Sequence, residues 1–265
     1  MRCIIRISVL VLLLSLIQCK DSHHKDLNYS TLIESSVYYY NEGDLDSALY
    51  FAKLSSEKIA FPVSSQMRYF LMLAKEKEDK EWLYFLSEKL IRGGAPLSYV
   101  KRHLDDNAFT ELQVISEELV KEFNSRFNSN YRNRLKDIFK FDTEFNQKYH
   151  KWRRGEIELS KEEMINGAEQ VYSKFMILNE EIGFPSESTL GYFIEDNKMI
   201  SYHTTLLFHI YQSGELVFHD ELDSLYRIGL IDASLVQNLK MNRGFGDSSG
   251  IRNEMSLRYD RFSKK

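Results

Sequence analysis

The chain has 265 residues, 43% of them apolar and 13% aromatic, enough for a sizeable core and for one or two domains. Three prolines and twelve glycines exclude a collagen-like chain or a turn-rich β fold, and two cysteines exclude a disulfide-dense scaffold or a multi-cysteine zinc site. A formal charge of −4 offers no global attraction to nucleic acid, and none is expected as a partner.

The first segment pairs Arg2 and Arg6 with an apolar run over 7–17. A helix needs about 20 residues to cross a ~30 Å hydrocarbon core, so this run is too short to span it. A basic start before a short apolar stretch reads as a secretory signal over 1–18. The run closes on Leu16-Ile17-Gln18-Cys19, which resembles the lipobox of bacterial lipoproteins. That resemblance implies a diacylglyceryl group, with acyl chains such as palmitate, on the Cys19 thiol and cleavage just before it. It also implies a lipid-anchored place in the bacterial cell envelope, at the outer membrane on its periplasmic or surface face. Several acyl chains at about 0.8 kcal/mol per buried CH₂ make such an anchor stable. Residues 19–28, with Lys20, Asp21, His23, His24 and Lys25, read as a solvated tether.

Beyond the tether, apolar residues recur at i, i+3, i+4 and i+7 and strand-like alternation is scarce, so the expected fold is all-α. Helices are expected near 29–41, 45–60, 64–77, 79–92, 113–126, 130–153, 160–182, 198–211, 215–228, 232–240 and 251–262, with a short turn near 97–103. Pro62, Pro96 and Pro185 fall between these segments, as helix punctuation does. The expected organisation is antiparallel helical hairpins over 29–112 followed by a compact helical domain over 113–265.

The first hairpin carries Tyr39, Gly43, Asp44 and Ala48 around its turn, with Leu32 and Ser36 before them. Gly43 suits a left-handed helix end, Asp44 suits a cap and Ala48 suits a close helix contact. This stretch resembles the turn of a tetratricopeptide repeat, with Ser36 where glycine is common and Leu32 where tryptophan is common. The pair spanning Gln66–Arg92 has the right length but lacks the glycine and alanine. From Arg132 onward, several pieces recur in order: Asp137–Asp142 with Phe145, Asn179 to Ser186 through Gly183-Phe184-Pro185, Leu206–His209, Leu222–Ile231 and Asn242-Arg243. Together they resemble the C-terminal half of a bacterial family of unknown function found in secreted and lipid-anchored proteins. The resemblance implies architecture, not a reaction.

The polar residues with chemical reach are His203, His209, Gln212 and His219. His209 and Gln212 are i, i+3 neighbours on one helix face, whereas His203 lies about 120° away around the axis and cannot share an ion with His209. His219 is expected to open the next helix and fold back across Ser213-Gly214. A metal site would need a carboxylate from the long helix, such as Asp142 or Glu144, and a polar pocket would use His209 as base or ligand with His219 and Asp142 in support. No zinc-protease, nucleophile-elbow, P-loop or dinucleotide motif occurs, and Gly244–Gly250 has no strand before it. The basic residues Arg126, Arg132, Arg134, Lys136, Lys140, Lys148, Lys151, Arg153 and Arg154 alternate with aromatics and read as a solvated helix face over a buried stripe.

These features favour an envelope protein anchored in the membrane through Cys19 that binds another envelope protein or a peptide, with Tyr38, Tyr40 and Tyr50 as contacts. The alternative is an enzyme, such as a hydrolase, centred on His209, His219 and Asp142. No cofactor or metal site is assigned, although the enzyme reading leaves room for a bound divalent ion.

Overall fold

The computed structural model describes residues 27–241 and 250–264. The signal segment, Cys19, nearly all of the tether, Asn242-Arg243 and most of the glycine-rich stretch therefore lie outside the described residues. The fold is all-α: thirteen helices and one two-stranded sheet occur among the described residues. No helix among them is long and apolar enough to cross a membrane. The chain divides into two compact units, Met1–Ile59 and Ala60–Lys265.

In the first unit, α1 (Tyr29–Asn41) and α2 (Leu45–Lys58) form a helical hairpin. Asn28 caps α1 by accepting from the Thr31 backbone N–H, and Asp44 caps α2 by accepting from Ser47. Gly43 sits at φ +79°, where a side chain would be strained. The Asp44 N–H reaches back to the Tyr39 carbonyl at 2.9 Å and closes the turn. Ser36, standing in the slot often held by glycine, donates to the Ala48 carbonyl at 2.7 Å. Tyr39 stacks on Phe51 at 5.5 Å.

The second unit begins with a similar hairpin, α3 (Ser64–Glu76) and α4 (Lys80–Arg92). Its turn has no glycine. Glu78 instead takes φ +53°, at a cost of roughly 1–2 kcal/mol, and Asp79 caps α4 through the Trp82 N–H. The short helix α5 (Leu97–Lys101) and the long helix α6 (Asp106–Arg126) follow and pack on α4. Asp105 caps α6, so this helix starts well before the expected residue 113. The domain boundary expected at 112/113 thus falls inside α6, and the compact units part at 59/60 instead.

Helices α7 (Ser129–Arg153) and α8 (Lys161–Ile182) pair along their length. A capping box of Ser160 and Glu163 starts α8. After the single turn α9 (Glu187–Leu190), strands β1 (Phe193–Glu195) and β2 (Lys198–Ile200) form a hairpin. Residues 198–200 were expected to begin a helix. Asp196 and Asn197, both at positive φ (48° and 56°), make the two-residue turn that a right-twisted hairpin needs. Helix α10 (Tyr202–Gln212) then packs on α7 and α8. The helix expected over 215–228 is reduced to α11 (Leu222–Arg227), because Phe218 at φ 56° breaks the helical path. Helices α12 (Ala233–Met241) and α13 (Ile251–Phe262) complete the unit, with α13 laid against α8. Leu135, Ile138, Phe175, Leu178, Leu206 and Ile210 form the core where α7, α8 and α10 meet.

Two charged side chains are part of this interior: Arg132, read from the sequence as lying on a solvated face, and Glu187. Arg132 is half-buried. Its guanidinium donates to the carbonyls of Leu190 and of Tyr192 (2.8 Å), lies 4.2 Å from the Phe193 ring centre, and burial draws its pKa down to about 10. Glu187 is buried at the N-terminus of α3. One of its oxygens accepts from the Ser64 backbone N–H (3.0 Å), the Ser64 hydroxyl (2.5 Å) and the Ser201 hydroxyl (3.1 Å). Val63, at the N-cap position, has no side chain able to do this. We expect Glu187→Ala to lower the unfolding free energy by about 3 kcal/mol. Glu88→Ala, which removes a surface partner 4.0 Å from Arg92, should change it by no more than ~0.5 kcal/mol. Urea titration of both variants checks this, and equal losses would refute the capping role.

His103 adds a pH dependence. Burial, then the Lys75 and Arg102 charges, lower its pKa from 6.5 to about 4. Its Nε2 accepts from Arg102 at 3.2 Å. The folded protein therefore holds this ring neutral while the unfolded chain takes up a proton near 6.5. Stability from this group is complete above that pH and declines as pH falls from about 6.5 to 4. The melting temperature should drop over that window, and the drop should shrink in His103→Gln; an identical pH profile in the variant would refute the assignment.

Candidate functional site

A cavity of about 440 Å³ opens between α7, α8, α10 and α13. Helix α7 contributes Asp142, Phe145, Asn146, Tyr149, His150 and Arg153 to its lining, which are spaced i, i+3, i+4, i+7, i+8 and i+11 and so form one continuous stripe. Ala168 and Val171 of α8 supply an apolar wall, and His209 and Gln212 face in from α10. The last wall is α13. Its N-terminus is held by Glu215, whose carboxylate accepts from the Ile251 N–H at 2.7 Å. Gly214 lets α13 approach, since a β-carbon there would lie 2.5 Å from Cβ of Glu254.

At the inner end, His209 Nδ1 lies 2.6 Å from Asp142 Oδ2. The Asp142 side chain is 2% exposed and that of His209 28%. Asn146 uses its amide hydrogens on Asp142, reaching the backbone carbonyl and Oδ1, each at 3.0 Å. With Oδ1 taken by Asn146, Oδ2 is left to accept the Nδ1–H of His209. The 3.1 Å approach of Asn146 Nδ2 to His209 Nδ1 is then a contact between two donors rather than a bond. This arrangement fixes the imidazole as the Nδ1–H tautomer and leaves a lone pair on Nε2 of a ring that lines the cavity. A buried carboxylate that orients a histidine in this way also stabilises the imidazolium when Nε2 takes up a proton.

The expected trio is only partly assembled. Asp142 and His209 meet, and Gln212 joins His209 in the lining. His219 does not join them: it sits in a turn rather than at a helix start, its ring is 6.5 Å from that of Tyr211, and it is outside the cavity lining. Glu144 lines a separate surface hollow with Phe141 and Lys148. His203 is sealed on another side of α10, 3% exposed, edge-on to Phe184 and 3.6 Å from Glu187 Oε2. Burial lowers its pKa against the opposing pull of Glu187 and Asp232. No cluster of three or more His, Cys, Asp or Glu suited to a metal ion occurs among the described residues.

Sequence reasoning missed Asn146 and the basic groups at the rim, Arg258 and Arg261, and it placed Arg153 on a solvated face. The signal for Asn146 was its i+4 spacing from Asp142. Of the tyrosines read as contacts, Tyr38 is 60% exposed and Tyr50 is exposed, while Tyr40 is half-buried. Tyr38 and Tyr50 pack edge-on against Tyr39 and Phe51, which stack on each other. No family model, curated protein or solved structure matches the chain. The functional reading therefore rests on geometry.

Proposed function

We propose that the C-terminal unit is a hydrolase in which His209 is the general base and Asp142 its orienting partner. The observation that carries this is the 2.6 Å Nδ1–Oδ2 contact between a buried carboxylate and a part-exposed imidazole in a cavity of small-molecule size. In the reaction, Nε2 takes a proton from a water molecule as its oxygen attacks the substrate's electrophilic centre. The resulting imidazolium, stabilised by Asp142, returns that proton to the leaving group as its bond breaks. Asn146 holds Asp142 in place throughout. The mature chain would work in the envelope, tethered through Cys19, as the lipobox resemblance implies.

The test is turnover of p-nitrophenyl acetate and p-nitrophenyl phosphate by the full chain. His209→Gln should lower kcat/KM by at least ~10²-fold, and Asp142→Asn should lower kcat with KM little changed. Nitrogen NMR should find the His209 proton on Nδ1 in the wild type and redistributed in Asp142→Asn. Turnover that survives His209→Gln would refute the assignment.

The second reading, docking of an envelope protein or peptide on the α1–α2 hairpin, is favoured by the exposure of the Tyr38 ring. Cys19→Ala should release the chain from membranes. A folded Tyr38→Ala/Tyr40→Ala chain should lose the partner that the wild type retains, and retention would sink this reading.

A further inference from the structure

The inner end of the cavity holds one acid and one imidazole, but its rim is basic. His150 and Arg153 come from the last turns of α7, and Arg258 and Arg261 from the last turns of α13. Arg258 is committed to Glu254 at 3.0 Å, an ion pair whose side chains are 14% and 12% exposed. Arg153 and Arg261 have no carboxylate partner among the described residues. Arg153 lies instead over the Phe262 ring, 4.4 Å from its centre, which holds the guanidinium plane at the rim. Acids of the cavity wall and its flanking segments are already engaged: Asp142 with His209 and Asn146, Glu156 with Arg154, Glu215 with the α13 N-terminus, Glu254 with Arg258 and Asp260 with Lys161. Two unpaired guanidiniums from separate helices thus converge on one opening without counter-charge.

We infer that the cavity takes a ligand bearing a phosphoryl group, bound at the rim by Arg153 and Arg261, with the rest of the molecule directed toward His209. This rests on the reading of the cavity as the functional site and adds the chemical class of its ligand. Charge complementarity selects phosphoryl over a single carboxylate. A phosphate monoester carries about −1.5 to −2 at neutral pH, matching two guanidiniums, and its oxygens suit the planar donor fork of arginine. The walls fit the remainder: Phe145, Tyr149, Val171 and Met255 supply apolar surface, while Asn146 and Gln212 supply polar groups.

The experiment is calorimetric titration of the full chain with inorganic phosphate, with sodium acetate and with soluble dihexanoyl phosphatidic acid. Phosphate should bind at least tenfold more tightly than acetate. Arg153→Gln/Arg261→Gln should weaken phosphate binding at least tenfold, and Arg153→Lys/Arg261→Lys should recover part of it. Tighter binding of the phosphatidic acid than of phosphate would assign the phosphoryl group to a lipid headgroup, and equal binding to a free phosphorylated metabolite; either supports the inference. Acetate binding as tightly as phosphate, or phosphate affinity unchanged in the glutamine variant, would overturn it. Binding does not depend on turnover. Phosphate binding without hydrolysis would remove the proposed reaction alone, and hydrolysis of the acetate ester without phosphate binding would remove this inference alone.

Discussion

The second unit is built on carboxylates that cap helices to which they do not belong. A helix N-terminus leaves four backbone N–H groups unpaired and carries partial positive charge, so it needs an acceptor whether or not the adjoining residue can supply one. At α3 that residue is Val63 and at α13 it is Gly250, and neither has a capping side chain. Glu187 serves the first across 123 positions of sequence, and Glu215 the second across 36. Each bond satisfies a donor and pins a long-range contact at once. A capping bond within one helix would have satisfied the donor alone. Arg132 is the converse case, a cation donating to the carbonyls of Leu190 and Tyr192, while the Tyr192 N–H donates to Gly93 at 2.6 Å. The stretch from Glu187 to Tyr192 is thereby tied to α3, to the end of α4 and to α7.

These ties set the site. Helix α10 follows that anchored stretch and the β1–β2 hairpin, and Ser201 just before it shares the Glu187 oxygen with Ser64. Its start is fixed, and so is its rotation about its axis. One side of α10 turns His203 toward Glu187 and Phe184, and another turns His209 toward Asp142 on α7. Beyond its C-terminus, Gly214 and Glu215 place α13, which closes the cavity that His209 faces. The geometry at Asp142 is thus set by carboxylates that lie outside the cavity lining.

Local patterns were legible in the sequence, and long-range burial of charge was not. The 3.6-residue period marked most helices, and Gly43, Asp44 and Ala48 marked the first turn because their demands are met within a few residues of each of them. The β hairpin was missed because its strands are short and merge with the apolar start of α10; the Asp196-Asn197 pair was its one local signature. Phe218 at positive φ, a rare state for a bulky residue, has no sequence mark, so His219 was assigned to a helix that begins only at Leu222. His209 and Gln212 were placed together because a helix face states which residues share a side, whereas Asp142 was named only alongside Glu144 as a carboxylate that could reach them from the long helix. Glu187 and Arg132 looked like any surface charge, since what buries them comes from elsewhere in the chain.

Two carboxylate–histidine pairs occur among the described residues of the unit, and comparing them separates a support from a reactive group. Glu187 and His203 are each 3% exposed, their closest atoms are 3.6 Å apart, and the carboxylate's hydrogen bonds go to Ser64 and Ser201. Burial favours the neutral imidazole there, and nothing reaches it from solvent. Asp142 is as deeply buried, but its Oδ2 is committed to the histidine, at 2.6 Å, and that ring is 28% exposed on a cavity wall. Inspecting residue types would rank the two pairs alike. Hydrogen-bond commitment and access to solvent do not: one pair holds a helix end in place, and the other offers a basic nitrogen to whatever enters the cavity.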